Sequence, residues 1–133
     1  TADFAGIAPP VSATVVGANF GIDIAFLKPS SPLKRPSLVF AEKTPGVGTD
    51  VYMVGNPLTF RDVLAKRIIT GQSGRKTVTN IGVIFGNSGA PVVTKDGKVI
   101  GVVSALAASG FQVYPHIGLL VTAEDANEEA GKL

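Results

Sequence analysis

GNSGAPVVTKDGKVIGVVSAL occupies residues 86–106. Its second part decides the fold class. PVV (91–93) and KVIGVVSAL (98–106) are apolar, β-branched runs. Asp96-Gly97 between them is a two-residue hairpin signal, which predicts a type I′ turn joining two antiparallel strands. The first part carries a different message. Ser88 sits in Gly-Asn-Ser-Gly, immediately before the first run. Gly86 and Gly89 permit backbone angles closed to other residues. Such a turn can aim successive N–H groups, from Gly86 through Asn87 to Ser88, into one concavity while lifting a hydroxyl to the surface. A serine nucleophile needs that exposed hydroxyl, a base, and donors for the oxyanion formed on attack. The same residue types are also the commonest turn formers, so on this tetrapeptide alone a catalytic turn and a plain turn weigh equally.

Outward from this hairpin, short apolar runs recur at about ten-residue spacing, the rhythm of a β-sandwich or barrel. SATVVGA (12–18) and DIAFLKP (23–29) flank a loop at Asn19 to Gly21. SSPLKRPS (30–37) reads as a connector, and LVFAEK (38–43), DVYMVGN (50–56) and VLAKRIITGQ (63–72) follow as strands. KTVTNIGVI (76–84) is β-branched, with threonines on one side. QVYPHIGLLV (112–121) is a last strand in which Pro115 marks an edge or a bulge. The tail TAEDANEEAGKL exchanges β-branched residues for alanine and glutamate. Thr122 is placed to cap a short helix, with Asp125 completing an imperfect capping box.

Composition excludes several classes. The 133 residues are enough for one ordinary domain, and 45% hydrophobic content with 17% charge is globular rather than disordered. There is no cysteine, hence no disulfide, cysteine nucleophile or thiolate metal site. No apolar run is long enough for a membrane span. The net charge of +2 comes from scattered residues, apart from a knot at Lys66, Arg67, Arg75 and Lys76. A solvated surface accounts for that knot better than nucleic acid does. Nothing calls for a metal or a cofactor. The lack of cysteine does not fix the compartment, although an exported or virion-associated setting is favoured over the cytosol.

Four segments in order carry a family resemblance. GNSGAPVVTKDGKVIGVVS resembles the nucleophile segment of trypsin-like serine proteases, nearest to the HtrA/Deg type, the glutamyl endopeptidases and their viral relatives. GIDIAFLKP resembles the segment that holds their catalytic aspartate. VGTDVYMVGNPLT resembles the first strand of their second barrel, and HIGLLVT with the tail resembles the closing strand and helix. The resemblance covers about residues 11 to 130 and implies an all-β, chymotrypsin-like double barrel. The second barrel is complete, over 38–133 with the C-terminal helix. Residues 1–37 supply the end of a partial first barrel and the connector.

Carried over residue by residue, Ser88 matches the nucleophile and Asp23 the acid that orients a histidine. The backbone at Gly86, Asn87 and Ser88 matches the oxyanion hole. Gly82, Val102, Val103, Ser104 and Gly118 fall on the walls of the substrate pocket. At Gly82 the enzymes that cut after lysine or arginine carry an aspartate, and near Val103 the glutamate-specific ones carry a histidine. An apolar pocket for small or medium aliphatic side chains is therefore implied.

The family's histidine lies about thirty residues before the aspartate, in the chain order His, Asp, Ser. Here no histidine precedes Asp23. The one present, His116, falls on the closing strand, where a structural or rim role is expected. The resemblance thus implies that an upstream segment of the same protein supplies the base and completes the first barrel, and that the substrate is a polypeptide. Two readings from other classes stay open: a catalytically inactive binding module that keeps the barrel, and a structural β-domain in which GNSGAP is only a turn.

Overall fold

A computed structural model describes residues 11–80, 87–109 and 112–133, with backbone pairing alone for 105–109 and 112–116. It is all-β with one terminal helix. β1 (Ala13–Asn19) and β2 (Ile24–Pro29) form an antiparallel pair running from Ala13↔Pro29 to Asn19↔Ile24. In the loop between them the Asn19 side chain accepts the Gly21 N–H at 2.9 Å.

The other strands make one sheet. They are β3 (Val39–Phe40), β4 (Asp50–Gly55), β5 (Val63–Ser73), β6 (Lys76–Thr79), β7 (Pro91–Val93), β8 (Lys98–Ser109) and β9 (Gln112–Thr122). Their order is β3-β8-β7-β4-β5-β6-β9, and β8 also pairs with β9. That last pairing closes β8, β7, β4, β5, β6 and β9 into a six-stranded barrel, which removes the open edges of a flat sheet. β3 runs parallel to β8 outside the ring.

Alternation along the strands fills the barrel. In β4, Val51 and Met53 point inward while Tyr52 and Val54 face out. Ile69, Val92, Ile100, Val103 and Leu120 complete the apolar cluster. β6 uses the same period differently. Its threonines, Thr77 and Thr79, are the fully buried residues. Pro115 lies at a bulge as expected, for the pairing jumps from Leu106↔Gly118 to Ala107↔Tyr114.

Two details differ from the sequence-based expectations. The β7–β8 connection is not a two-residue type I′ turn. Gly97 N–H donates to Thr94 C=O and Thr94 N–H to Lys98 C=O, both at 2.9 Å, and of Asp96 and Gly97 only Gly97 takes a positive φ (80°). This is a three-residue loop with a type I turn and a glycine bulge. β3 is also shorter than LVFAEK, pairing only at Val39↔Lys98 and Phe40↔Val99. The expected strand over 76–84 is seen as far as Thr79; residues 81–86 lie outside the described ones.

α1 (Ala123–Ala130) starts where the sequence places it. Thr122, at φ −70° and ψ 155°, accepts the Asp125 N–H at 3.1 Å. Glu124 receives the Thr44 N–H at 2.6 Å and its hydroxyl at 2.7 Å, tying the helix start to the loop before β4. The basic knot separates into individual contacts. Lys66 pairs with Asp50 at 3.4 Å and lies over the Tyr52 ring. The Asp50 contact holds the Lys66 ammonium above its ordinary range. Arg75 pairs with Asp125, whose hydrogen bond raises the guanidinium likewise. No helix among the described residues is long and apolar enough to cross a membrane.

Candidate active site

Ser88 stands at the tip of a β-turn. Ala90 N–H donates to Asn87 C=O at 3.0 Å, and Gly89 in the third position takes φ 86°, as a type II turn requires. Two further bonds fasten the turn to β8: Gly89 N–H to Val103 C=O at 2.8 Å, and Val103 N–H to Ala90 C=O at 3.0 Å. A rigid strand therefore carries an exposed serine, and no described residue accepts the Ser88 N–H.

Asn87 points the other way and is buried, 4% exposed. It packs against Gly55 at the end of β4, where any Cβ would collide with Asn87 Oδ1. That oxygen has no hydrogen-bond partner among the described residues. Gly55 is thus a supporting residue of the serine turn that sequence reasoning missed. Its only signal was the glycine ending a strand in VGNP.

Asp23 comes from the other sheet. It directly precedes β2 with φ 62°, the left-handed region, which aspartate tolerates better than most residues. Its Oδ2 accepts the Ser104 hydroxyl of β8 at 2.7 Å. Lys76 Nζ in turn donates to Ser104 Oγ at 2.8 Å and to the Ile22 carbonyl at 3.3 Å. Ser104, expected as pocket wall, is thus the partner of the aspartate. Lys76 was read only as part of a surface charge knot.

A cavity of about 580 Å³ brings these groups together. Asp23, Ser88, Val102 and Ser104 line it, with Phe26 of β2 and Phe40 of β3. Val103 also touches it but is 2% exposed and belongs mainly to the barrel core. Gly118 does not line it; it is buried in β9 between Thr79 of β6 and Leu106 of β8. Gly82 and Gly86, expected as pocket wall and oxyanion donor, lie outside the described residues, as does the His116 side chain. Among the described residues no cluster of acidic or imidazole groups is placed to hold a metal ion. The arrangement places a hydroxyl and a hydrogen-bonded carboxylate around one mostly apolar space.

The trypsin-like peptidase domain family matches residues 7–102, a span that includes both Asp23 and Ser88. The chain is similar to serine protease HTRA1B of Danio rerio, 31% identical over 103 residues, covering 66% of this chain and 21% of that protein. It is also similar to the putative protease Do-like 14 of Arabidopsis thaliana, 34% identical over 112 residues, covering 72% of this chain and 26% of that protein. The chain therefore spans about a fifth to a quarter of these relatives. Among solved structures, the active form of the Rv3671c protease from M. tuberculosis is similar with TM-score 0.73 and 26% identity, covering 92% of this chain and 59% of that one. The serine endoprotease from Yersinia pestis matches with TM-score 0.76 and 25% identity, over 90% of this chain and 43% of that one.

Proposed function

The chain belongs to the trypsin-like peptidase family, and we propose that it is the serine- and aspartate-bearing part of an endopeptidase that works through an acyl-enzyme on Ser88. The observation that carries this reading is the shared cavity. Asp23 and Ser88 arise on different sheets, yet both line it.

Ser88 Oγ attacks the carbonyl carbon of the scissile peptide while a histidine takes its proton. The oxyanion forms against the N–H groups of Ser88 and Gly86, with Asn87 shaping the turn between them. One such donor is worth about 10²–10³ in rate. As the tetrahedral intermediate collapses, the histidine returns the proton to the leaving amine and the acyl group stays on Ser88. Water, deprotonated by the same histidine, then attacks the ester and frees the serine. Asp23 stays ionised throughout, holding the imidazole in one tautomer and balancing its charge.

The histidine belongs to polypeptide upstream of these residues, in strands that begin a first barrel of which residues 1–37 supply the end and the connector. Residues 38–133 form the second barrel with its helix. The open hairpin supports this: Val15, Val16, Phe20 and Leu27 are all exposed on β1, β2 and their loop. Strand edges left unpaired among the described strands, with exposed apolar side chains, are what a partner segment would cover. The substrate is a polypeptide cleaved after small or medium aliphatic residues, a preference supported by the apolar lining that Phe26, Phe40 and Val102 give the cavity.

A fluorophosphonate probe on the full-length protein tests the reading. Labelling at Ser88 is expected, and Ser88→Ala is expected to lower turnover by about 10⁵-fold or more. The 133 residues alone are expected to show no turnover. Robust hydrolysis by this chain, lost in Ser88→Ala, would move the base to His116. A full-length protein that neither reacts with the probe nor cleaves peptides would favour a non-catalytic module.

A further inference from the structure

The carboxylate of Asp23 is held by a relay whose direction is fixed by chemistry. An ammonium group can only donate, and a serine hydroxyl has a single proton. With Lys76 Nζ donating to Ser104 Oγ at 2.8 Å, the hydroxyl proton is free to go onward, and it goes to Asp23 Oδ2 at 2.7 Å. Without the lysine, the same hydroxyl could rotate and spend its proton elsewhere.

Lys76 also donates to the carbonyl of Ile22, at 3.3 Å. Ile22 precedes Asp23, whose φ of 62° lies in the left-handed region, a conformation that its surroundings must hold. One ammonium therefore grips both the backbone leading into the aspartate and the hydroxyl that caps its side chain.

The base of this grip is rigid. Lys76 opens β6, paired with Ser73 of β5 and Val121 of β9 within the closed barrel. Asp23 belongs to a two-stranded hairpin that pairs with nothing else among the described strands. The lysine is half-buried at this junction.

We propose that Lys76 is a positioning residue for the reaction, acting through Ser104 and Ile22 to fix Asp23, and through Asp23 the imidazole, relative to Ser88. It touches neither substrate nor reacting atoms. The inference rests on the endopeptidase reading above. It explains why a long cationic side chain is half-buried at the foot of the site, where among the described residues it is bonded to a hydroxyl and a carbonyl rather than to a carboxylate.

The test uses the full-length protein, with kcat and KM measured on one peptide substrate. Lys76→Met is expected to lower kcat by about 10–100-fold, the scale of a small misplacement of catalytic groups, with KM changed by less than about twofold. Ser104→Ala is expected to give a similar loss. The double variant is expected to be no worse than the more damaging single one, because both cut the same relay. In Lys76→Cys, aminoethylation of the thiol restores an ammonium at the same reach and is expected to recover most of kcat; a purely structural tie would change stability without that split. Wild-type kcat in Lys76→Met, a rise in KM alone, or fully additive losses would overturn the inference. Should Lys76→Met fail to fold, Ser104→Ala carries the test, and wild-type kcat there overturns the relay. These results separate from failure of the wider reading, which shows as an enzyme with no Ser88-dependent turnover and overturns both.

Discussion

The barrel of β4 to β9 and the hairpin of β1 and β2 are both antiparallel sheet, but they manage their edges in opposite ways. The barrel pairs β8 with β9 and leaves no open edge in its ring. Its inward side chains, such as Val51, Val92, Ile100 and Leu120, are fully buried. The hairpin has two strands, and Val15 and Leu27 are 60% and 57% exposed. An isolated two-stranded hairpin is marginal at best in water. The barrel therefore supplies its own stability, whereas the hairpin depends on what it touches. The proposed site uses both, with its serine on the self-sufficient part and its aspartate on the dependent one. That difference gives the ties from Ser104 to Asp23 and from Lys76 to Ile22 their importance.

The largest contrast should come from truncating apolar side chains. Ile100→Ala removes three carbons from the middle of a closed core and is expected to cost about 2–5 kcal/mol. Leu27→Ala makes a comparable deletion on the hairpin and is expected to stay within about 0.5 kcal/mol in this chain. Urea unfolding of the two variants checks the pair. Measured in the full-length protein, Leu27→Ala is expected to become markedly more costly if an upstream segment covers that face. Equal costs for the two substitutions in the 133 residues would end the distinction drawn here.

Glycine substitutions sharpen the same contrast at smaller scale. A Cβ on Gly101 would sit 2.5 Å from the Val121 carbonyl oxygen and 3.1 Å from Leu120 Cβ, where β8 and β9 close the ring. Backbone must move there, so Gly101→Ala is expected to cost about 1–3 kcal/mol. A Cβ on Gly17 of β1 would collide with the Leu133 side chain instead. Leu133 is exposed and meets that Cβ with the far end of a flexible side chain, so it can swing away, and Gly17→Ala is expected to fall within about 0.5 kcal/mol. Thermal midpoints measured side by side decide it.

What could be read in the sequence follows from how local each signal is. The β-branched runs, the capping Thr122 and the break at Pro115 are written in neighbouring residues, and the structure contains them. The Asp96-Gly97 turn was legible as a turn but not in type. Its geometry depends on Thr94 bonding to both Gly97 and Lys98, which a two-residue signal does not reveal. The short motifs around Ser88 and Asp23 were equally readable, and the fold brings both to one cavity. The connection through Ser104 and Lys76 was not. Those residues lie on β8 and β6, and only the ring closure through β9 sets the distance between them. A lysine beside Arg75 looks like surface charge until the fold sets it against Ile22 and Ser104. The clash that keeps Gly55 free of a side chain is hidden for the same reason, since Asn87 reaches it from the turn before β7.

The helix start gives the finest test of where the self-sufficient part ends. α1 lies outside the ring, so it could share the hairpin's dependence or the barrel's rigidity. Its first residues argue for rigidity: Thr122 is 6% exposed, Ala123 and Ala126 are fully buried, and Glu124 holds the Thr44 backbone and hydroxyl. Thr122 ends β9 and caps the helix with one side chain, by accepting the Asp125 N–H at 3.1 Å. Thr122→Ala removes that acceptor and leaves a helix-terminal N–H without its partner, at a cost of about 1 kcal/mol. Thr122→Ser keeps the oxygen and is expected to recover most of the loss. If α1 unfolds together with the barrel, the drop will appear as a lower thermal midpoint by every probe at once. If the helix frays by itself, amide exchange at Ala126 and Asn127 will rise in Thr122→Ala with the midpoint unchanged, and the boundary of the rigid unit moves back to β9.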